Sequence, residues 1–319
     1  MEKRKHGKKK FITNALQKIK LPKEKSHKGQ NGKLLIIGGS KLFHCASKWS
    51  LNVASRFVDM VFYCSTPQNN TLIKEAKQNF SNGIVIDRND IENYIDEADC
   101  VLIGPGMERS QEFKDLASSN LNNDFSEPSN SEWLNNTEKI VNYLLNKYPE
   151  KKWVIDGGAL QMINPSLINK HCILTPHNEE FQLLVKKTSR YLGNFKADKL
   201  KSNEQLLKLS SALSGATIIK KGHVDYIYTQ NEEEEQDLNN LFVIEGGNAG
   251  MIKGGTGDVL AGLVAALYCV HDAKTSSIVA SYINKKTGDV LYKKVGPFFN
   301  ATDLASEIAP TFWEELKKI

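Results

Sequence analysis

The stretch Lys253–Gly262, which reads KGGTGDVLAG, places a glycine loop, a hydroxyl and a carboxylate directly before the apolar run VLAGLVAALYCV. Backbone N–H groups at the start of a helix have no partner inside the helix, and the helix dipole adds partial positive charge there. Glycines let such a backbone approach a phosphate closely. The stretch therefore predicts an anion site at the start of a helix. It is not a Walker loop, because no Gly-Lys-Ser/Thr follows the glycines.

The carboxylate in this stretch, Asp258, is expected to lie beside a phosphate rather than to bind it. In that position a carboxylate can accept the proton of a hydroxyl that attacks phosphorus. The anion site would then offset the charge that develops on the transferred group. The alternative is that Asp258 only caps the helix, since Asp is a favoured N-cap residue. The preceding run Gly254-Gly255-Thr256-Gly257 and the long apolar helix that follows favour the chemical role.

In the rest of the chain, short apolar runs and polar turns alternate with segments whose apolar residues recur at helical spacing. Four runs end in glycine or polar residues: KLLIIGGS (Lys33–Ser40), DCVLIGPGM (Asp99–Met107), KWVIDGGAL (Lys152–Leu160) and HCILTPHNEEF (His171–Phe181). This order predicts an α/β fold with a mainly parallel central sheet and helices on both faces. Ligands of such sheets bind at the carboxyl ends of the strands, so the turns predict one shared crevice. The stretch GATIIKKGHVDYIYT is expected to form a hairpin.

The bulk composition sets limits on the class of protein. The chain has 319 residues, 40% of them hydrophobic, and a net charge of +5 that is concentrated in a basic start. We expect residues 1–27 to be a flexible, solvated tail and residues 28–319 to be one domain. A nucleic-acid arm is disfavoured because aromatic residues do not interleave with most of the basic run. No uncharged apolar run reaches about 18 residues, so no membrane span is expected.

The cysteines and the inserted segments carry little functional signal. Five cysteines are scattered without a Cys-x-x-Cys spacing, which predicts neither a disulfide framework nor a zinc site and fits a reducing cytoplasm. The segments Ser118–Asn136 and Gln230–Asn240 are polar and acidic, respectively, and are expected to be surface loops.

Two further clusters are candidates for the site. Lys221 ends an apolar run just before a glycine, so its ammonium could reach a phosphate; alternatively it lies in an exposed surface turn. His177 follows Thr175-Pro176 and precedes Glu180. It could contact a substrate or a metal-bound water, although a lone histidine in a loop more often does neither.

Seven segments, in this order and spacing, resemble the ADP/ATP-dependent NAD(P)H-hydrate dehydratase family of the ribokinase-like superfamily. They are KGQNGKLLIIGGS, CVLIGPGM, VIDGGAL, ILTPHNEEF, IIKKGHVDYIY, GGNAGMIKGGTGDVLAG and NATDLASEIAP. GGTGDVLAG by itself indicates only the superfamily, whereas LTPH and the approach to the glycine loop indicate this branch. The resemblance runs from about Lys28 to the end of the chain, and it includes no epimerase domain.

The resemblance implies a cytoplasmic ribokinase-like lyase that acts on hydrated NADH or NADPH. The hydroxyl of the hydrate would be phosphorylated by ADP or ATP with Mg²⁺, and loss of phosphate would restore the reduced dinucleotide. The implied base is Asp258. The implied nucleotide contacts are Lys221, Gly222, His223, Val224, Asp225 and Gly257, together with Gly254, Gly255 and Thr256 of the anion loop. The implied hydrate contacts are Ala46, Gly106, His177 and Asp258. No dedicated protein site for the metal is expected, and relatives form homo-oligomers.

The chain departs from the family pattern at four positions, and two other functions compete. Gly158 stands where the family has a second aspartate, Cys45 and Glu108 replace glycines, and Lys253 replaces a small hydroxyl residue. One rival is a ribokinase-like kinase of a small molecule such as a vitamin precursor, which would use the same base but release a phosphorylated product. The other is a catalytically silent nucleotide-binding protein, which would gain little from an acid beside phosphate.

Overall fold

The computed structural model describes residues 10–76, 82–109, 136–193, 202–230 and 240–319. Most of both predicted surface loops lies outside these residues. The strands are β1 (Lys33–Ile37), β2 (Met60–Cys64), β3 (Ile84–Val85), β4 (Cys100–Ile103), β5 (Lys152–Ile155), β6 (Cys172–Leu174), β7 (Thr217–Lys220), β8 (Asp225–Tyr228) and β9 (Leu241–Ile244). The helices are α1 (10–16), α2 (His44–Ala54), α3 (Pro67–Ala76), α4 (Ile91–Glu97), α5 (Thr137–Lys147), α6 (Gly157–Met162), α7 (Asn178–Leu192), α8 (Ser202–Ala212), α9 (Thr256–Val270), α10 (Ala273–Val295) and α11 (Ala301–Leu316).

The strands form one nine-stranded sheet in the order β3-β2-β1-β4-β5-β6-β7-β8-β9. Neighbouring strands from β3 to β7 are parallel, whereas β8 and β9 pair antiparallel. The expected mainly parallel sheet is confirmed, and the expected hairpin is β7–β8. Strand β9 was not predicted, because LFVI lies directly after an acidic segment and has no pattern beyond a short apolar run.

Helices cover both faces of the sheet, as expected. The side chains of β1 alternate between two cores, with Leu34 and Ile36 in one and Leu35 and Ile37 in the other. Helices α1 to α3 and α9 to α11 contribute to the first core, and α4 to α8 contribute to the second. This period-2 alternation is what a strand buried on both faces requires.

The order of the strands reverses at β1, which pairs with both β2 and β4. A ligand crevice forms at such a switch point, outside the carboxyl ends of the strands. Here the turns after β1 and β4 meet, because Gly39 N–H donates to the Pro105 carbonyl over 2.7 Å. Gly104 has φ +117°, and an added Cβ there would lie 1.8 Å from the Asp156 carbonyl oxygen. Only glycine allows this approach of β4 to β5, which forms the floor of the crevice.

The start of the chain differs from the expected flexible tail. Residues 10–16 form α1, with Ala15 and Leu16 only 6% and 5% exposed, and the Phe11 ring lies 5.3 Å from that of Phe242. The expectation of a tail over residues 1–27 is therefore wrong for this helix. The reason is that FITNALQKI carries apolar residues at helical spacing within the basic composition. Residues 1–9 lie outside the part of the chain that the structure describes.

Across the described ranges, no helix combines the length and the apolar character needed to cross a membrane. The five cysteines are free thiols: Cys45 is half-buried, and the other four are buried.

Candidate active site

A cleft of about 1030 Å³ opens at the carboxyl edge of the sheet, beside the start of α9. Its walls come from the turns after β1, β4, β5, β6 and β7 and from the loop before α9. The expected site residues that line it are Ala46, Gly106, His177, Lys221, Gly222, His223, Asp225, Gly254, Gly255, Thr256, Gly257 and Asp258. Val224 does not line it. The shared crevice that the sequence predicts is therefore present, and it brings together residues from the whole length of the chain.

Asp258 is the third residue of α9 and not its cap. The N-cap is Gly255, at φ 94°, which has no side chain with which to cap the helix. The alternative that Asp258 is the N-cap residue is therefore wrong, and its chemical role stays a prediction. Burial and the nearby Asp156 carboxylate raise the pKa of Asp258 to about 7, although the Lys221 ammonium acts in the opposite direction. A carboxylate with this pKa can exchange a proton at neutral pH.

Lys221 supplies the positive charge beside Asp258. Its Nζ donates to Asp156 Oδ1 over 2.7 Å, and its side chain is only 16% exposed. Burial lowers the pKa of Lys221, but the carboxylates of Asp156, Glu180 and Asp258 outweigh it, so the pKa is raised and the side chain stays charged. Its ammonium also lies at the start of α9, because an added Cβ on Gly257 would be 3.2 Å from Nζ. Charge and helix N–H groups therefore converge on one point of the cleft.

His177 and Glu180 form a capping box at the start of α7. His177 Nδ1 accepts from the N–H groups of Glu179 and Glu180, and Glu180 Oε2 accepts from the His177 N–H over 3.0 Å. An acceptor Nδ1 leaves the proton of a neutral ring on Nε2, which lies 3.4 Å from Glu180 Oε1. The histidine therefore has a structural role in addition to lining the cleft, and its expected contact with substrate stays a prediction.

The turn between β7 and β8 is held by Asp225. One oxygen of this carboxylate accepts from the Gly222 N–H over 3.0 Å, and the other accepts from Ser281 Oγ over 2.6 Å. The side chain is buried. Asp225 therefore shapes the loop from within, because both oxygens of its carboxylate accept hydrogen bonds from the protein.

The wall of the cleft that contains Ala46 is tightly packed. An added Cβ on Gly106 would lie 2.9 Å from the Ala46 Cβ, and one on Gly158 would lie 2.3 Å from the Met107 carbonyl oxygen. A side chain at position 158 would therefore meet the backbone of the Gly-Pro-Gly-Met turn as it stands in this chain. Cys45 lines the same cleft and adds bulk to it.

The other two departures from the family pattern lie away from the reacting groups. Glu108 lines a separate pocket of about 280 Å³ behind the turn, together with Arg88 and Lys41. Lys253 reaches from the rim of the cleft to the carbonyls of Pro297 and Phe299, the latter over 2.6 Å. It ties the glycine loop to the segment before α11.

Asp156 and Trp49 are among the cleft residues that were not selected from the sequence. Asp156 directly follows the buried strand β5. Its position at the end of an apolar run was the sequence signal that could have identified it as a site residue. Trp49 lies on α2, and its ring occupies the space next to Gly255. It has no sequence signature, since one aromatic residue at helical spacing is typical of a core position.

Gly255→Ala is expected to lower stability by about 2–4 kcal/mol and Tm by about 5 °C. The new Cβ would lie 2.5 Å from two carbons of the Trp49 ring and 2.7 Å from the Ala301 Cβ, at a φ of +94°. Gly254→Ala is the matched control, because a Cβ there meets nothing within 4 Å. Thermal unfolding of both variants measures the difference. Equal Tm values would contradict the tight packing of Trp49 on the loop.

Comparison with known proteins agrees with this geometry. A family model described as NAD(P)H-hydrate dehydratase matches residues 34–310. The bifunctional NAD(P)H-hydrate repair enzyme of Methanocaldococcus jannaschii is 31% identical over 89% of this chain and 48% of its own length. The chain thus spans about half the length of such bifunctional relatives. The ADP-dependent (S)-NAD(P)H-hydrate dehydratase of Nitrosopumilus maritimus is 30% identical, over 94% of this chain and 96% of its own.

Two solved structures share the fold. A ribokinase-like superfamily protein from Enterococcus faecalis matches with a TM-score of 0.73 and 20% identity, over 96% of this chain and 94% of that one. The ADP/ATP-dependent NAD(P)H-hydrate dehydratase of Bacillus subtilis, co-crystallised with ATP and Mg²⁺, matches with a TM-score of 0.66 and 18% identity, over 96% and 97% of the two chains. These matches confirm the ribokinase-like fold. Together with the family match over residues 34–310, they show that the chain belongs to the NAD(P)H-hydrate dehydratase family.

Proposed function

We propose that this chain is a nucleotide-dependent dehydratase that converts the (S)-hydrate of NADH or NADPH to the reduced dinucleotide, with ADP or ATP as phosphoryl donor. The observation that carries the proposal is the place of Asp258, a carboxylate with a pKa of about 7 on the first turn of α9. The Lys221 ammonium lies beside it. The activity of the N. maritimus relative, an ADP-dependent (S)-NAD(P)H-hydrate dehydratase, supports the same reaction.

In the first step the hydroxyl oxygen of the hydrated ring attacks the terminal phosphorus of the nucleotide. The bond between that phosphorus and the bridging oxygen breaks, and the hydroxyl proton passes to the carboxylate of Asp258. Lys221 and the N–H groups at the start of α9 stabilise the charge on the transferring phosphoryl group. A buried lysine that keeps its proton is suited to this, because its charge is already in place before the reaction.

In the second step the phosphate ester on the ring carbon is eliminated. The lone pair of the ring nitrogen forms a C=N bond while the C–O bond breaks, and loss of a proton from the neighbouring ring carbon restores the C=C bond. The departing phosphate can take that proton. With ADP as donor, the hydrate and ADP give the reduced dinucleotide, AMP and inorganic phosphate.

Mg²⁺ fits this site as a companion of the nucleotide rather than as a resident ion. Among the residues placed by the structure, no cluster of three or more His, Cys, Asp or Glu side chains could hold a metal. Mg²⁺ in phosphoryl-transfer sites is bound by substrate phosphates, waters and one or two carboxylates, and Glu180 at the cleft can supply one. When bound, the ion would neutralise charge on the phosphate oxygens.

The proposal also includes the cellular compartment and the oligomeric state of the protein. The free thiols fit a reducing cytoplasm. A homo-oligomer is part of the proposal because large apolar side chains, among them Phe43, Ile252 and Phe298, are exposed near the cleft mouth and the adjoining segment.

The test is an incubation of the purified protein with hydrated NADH, Mg²⁺ and either ADP or ATP. The absorbance band of reduced nicotinamide is expected to rise only when nucleotide is present, with one phosphate released per NADH. The faster donor identifies the physiological nucleotide class. A phosphorylated product without that rise would favour the small-molecule kinase. No turnover beside an active family enzyme would leave a silent nucleotide-binding protein.

The rate is expected to depend on pH through Asp258. Its pKa is raised to about 7, so the basic form is lost as the pH falls below that value. We expect kcat/KM for the nucleotide to fall about tenfold per pH unit on the acid side, with a limb near pH 7. Initial rates between about pH 5.5 and 8.5 measure this. A flat profile down to about pH 5.5 would mean that a carboxylate with an ordinary pKa, or none, acts as base.

A further inference from the structure

We infer that Lys285, on α10, is a positioning residue that holds the loop of residues 221–225, here the nucleotide loop, in its binding shape. The inference rests on the proposed function, because it assigns this loop to the nucleotide. Lys285 lines the cleft, but its side chain is only 6% exposed.

The ammonium of Lys285 contacts three oxygen atoms of the nucleotide loop. Its Nζ donates to the carbonyls of Gly222 and His223 over 2.9 and 3.1 Å, and it lies 3.2 Å from Asp225 Oδ1. Two of the three donors of the lysine ammonium are used by these carbonyls, and the ion pair with Asp225 holds the group against the loop. Lys285 therefore acts on the loop.

The two carbonyl contacts determine where the loop amides point. In a trans peptide the C=O and the following N–H are antiparallel. Because the carbonyls of Gly222 and His223 both face Lys285, the N–H groups of His223 and Val224 point away from it. Neither N–H has a hydrogen-bond partner among the residues that the structure describes. Of these two residues His223 lines the cleft, so Lys285 fixes the direction of a backbone N–H that can donate to a nucleotide phosphate.

The stem of Lys285 also contacts a second loop. An added Cβ on Gly246 would lie 3.6 Å from the Lys285 Cβ, and one on Gly247 would lie 3.6 Å from its Cγ. These glycines have φ values of +115° and +77°. Lys285 therefore connects α10 to the turn after β9 as well as to the nucleotide loop, and both segments line the cleft.

Lys285→Met keeps most of the stem and removes the ammonium. Two carbonyls then lose their hydrogen-bond donor and the Asp225 carboxylate loses its ion-pair partner, so the loop backbone is no longer fixed before the nucleotide binds. Preorganisation of this kind acts on affinity. We expect the Kd and the KM for ADP and ATP to rise about 10- to 100-fold, while kcat at saturating nucleotide and the KM for the hydrate change less than about threefold.

Nucleotide binding measured by calorimetry and steady-state kinetics test this in three variants. Lys286→Met is the matched control, because the next residue of α10 points to Glu315, 3.8 Å from its Oε1. It is expected to match the wild type. Ser281→Ala removes one hydrogen bond to the same Asp225 carboxylate and is expected to raise the Kd by about three- to fivefold. If Lys285→Met does not fold, as judged by thermal unfolding, the Kd of Ser281→Ala tests whether the contacts that shape the nucleotide loop set nucleotide affinity.

The outcomes separate this inference from the proposed function. Equal nucleotide affinity in folded Lys285→Met and Lys286→Met would overturn the inference and leave the dehydratase intact. A parallel loss of kcat and of affinity for both substrates would also overturn it, since that indicates general damage. Nucleotide binding that depends on Lys285, in a wild-type protein without dehydratase activity, would support the inference and refute the proposed function. A wild type that binds no nucleotide would refute both.

Discussion

Asp258→Asn is expected to lower kcat for hydrate dehydration by about 10³-fold, because the amide cannot accept the hydroxyl proton. Asn has nearly the shape of Asp, and the anion site is made by backbone groups and Lys221. Nucleotide affinity is therefore expected to persist in the variant. The measurement is the rise of reduced-nicotinamide absorbance at saturating nucleotide, together with the Kd for ADP and ATP.

Stability distinguishes a lost base from a lost fold. Burial raises the pKa of Asp258 to about 7, so the folded chain binds this proton more tightly than the unfolded chain does. Between about pH 4 and 7 the unfolded chain therefore carries fewer protons at Asp258 than the folded chain does. The contribution of Asp258 to the free energy of unfolding falls as the pH rises through this range. Asn carries no charge, so the variant does not lose this stability. At about pH 8 we expect the Tm of Asp258→Asn to equal or exceed that of the wild type.

Asp96→Asn, on the exposed side of α4, is the control for this variant. It is expected to change neither rate nor Tm. If Asp258→Asn kept more than a tenth of the activity, the base would be another group. If its Tm fell well below that of Asp96→Asn, the loss of rate would reflect unfolding rather than chemistry.

The sequence predicted those site residues whose positions follow from the residues next to them in the chain. Asp258 and Lys221 each lie where an apolar run meets glycine, and such junctions in parallel sheets converge on one edge. The pattern also predicted one crevice. Local composition was misleading at α1, where lysines obscured a short amphipathic helix that the core needs to cover its first face.

The remaining parts depend on contacts between distant residues. Asp156 and Lys221 are 65 positions apart, and Lys285 is 63 positions from Gly222. In the sequence Lys285 belongs to the run NKKTG, which is typical of a solvated helix face. The Met107 carbonyl that a side chain at position 158 would meet belongs to another turn. No periodicity along the chain records such contacts, so only the folded structure reveals them.

Lys221→Met is expected to lower kcat/KM for the nucleotide by about 10²- to 10³-fold. The variant loses the charge that offsets the transferring phosphoryl group, and it leaves the buried Asp156 without the ammonium 2.7 Å away. An unpaired buried carboxylate is costly, so stability is also expected to fall. Because Lys221 lowers the pKa of Asp258, its removal is expected to raise that pKa and to move the acid limb above pH 7.

Lys220→Met is the matched control, since the neighbouring ammonium donates to Ser202 Oγ and lies over the Phe181 ring, away from Asp156. Its acid limb is expected to stay near that of the wild type. The shift of the limb is the decisive measurement, because a lysine that only stabilises the fold would lower the rate without moving it. A Lys221→Met enzyme with an unmoved limb and less than about tenfold loss would show that the phosphate charge is met by the α9 backbone alone.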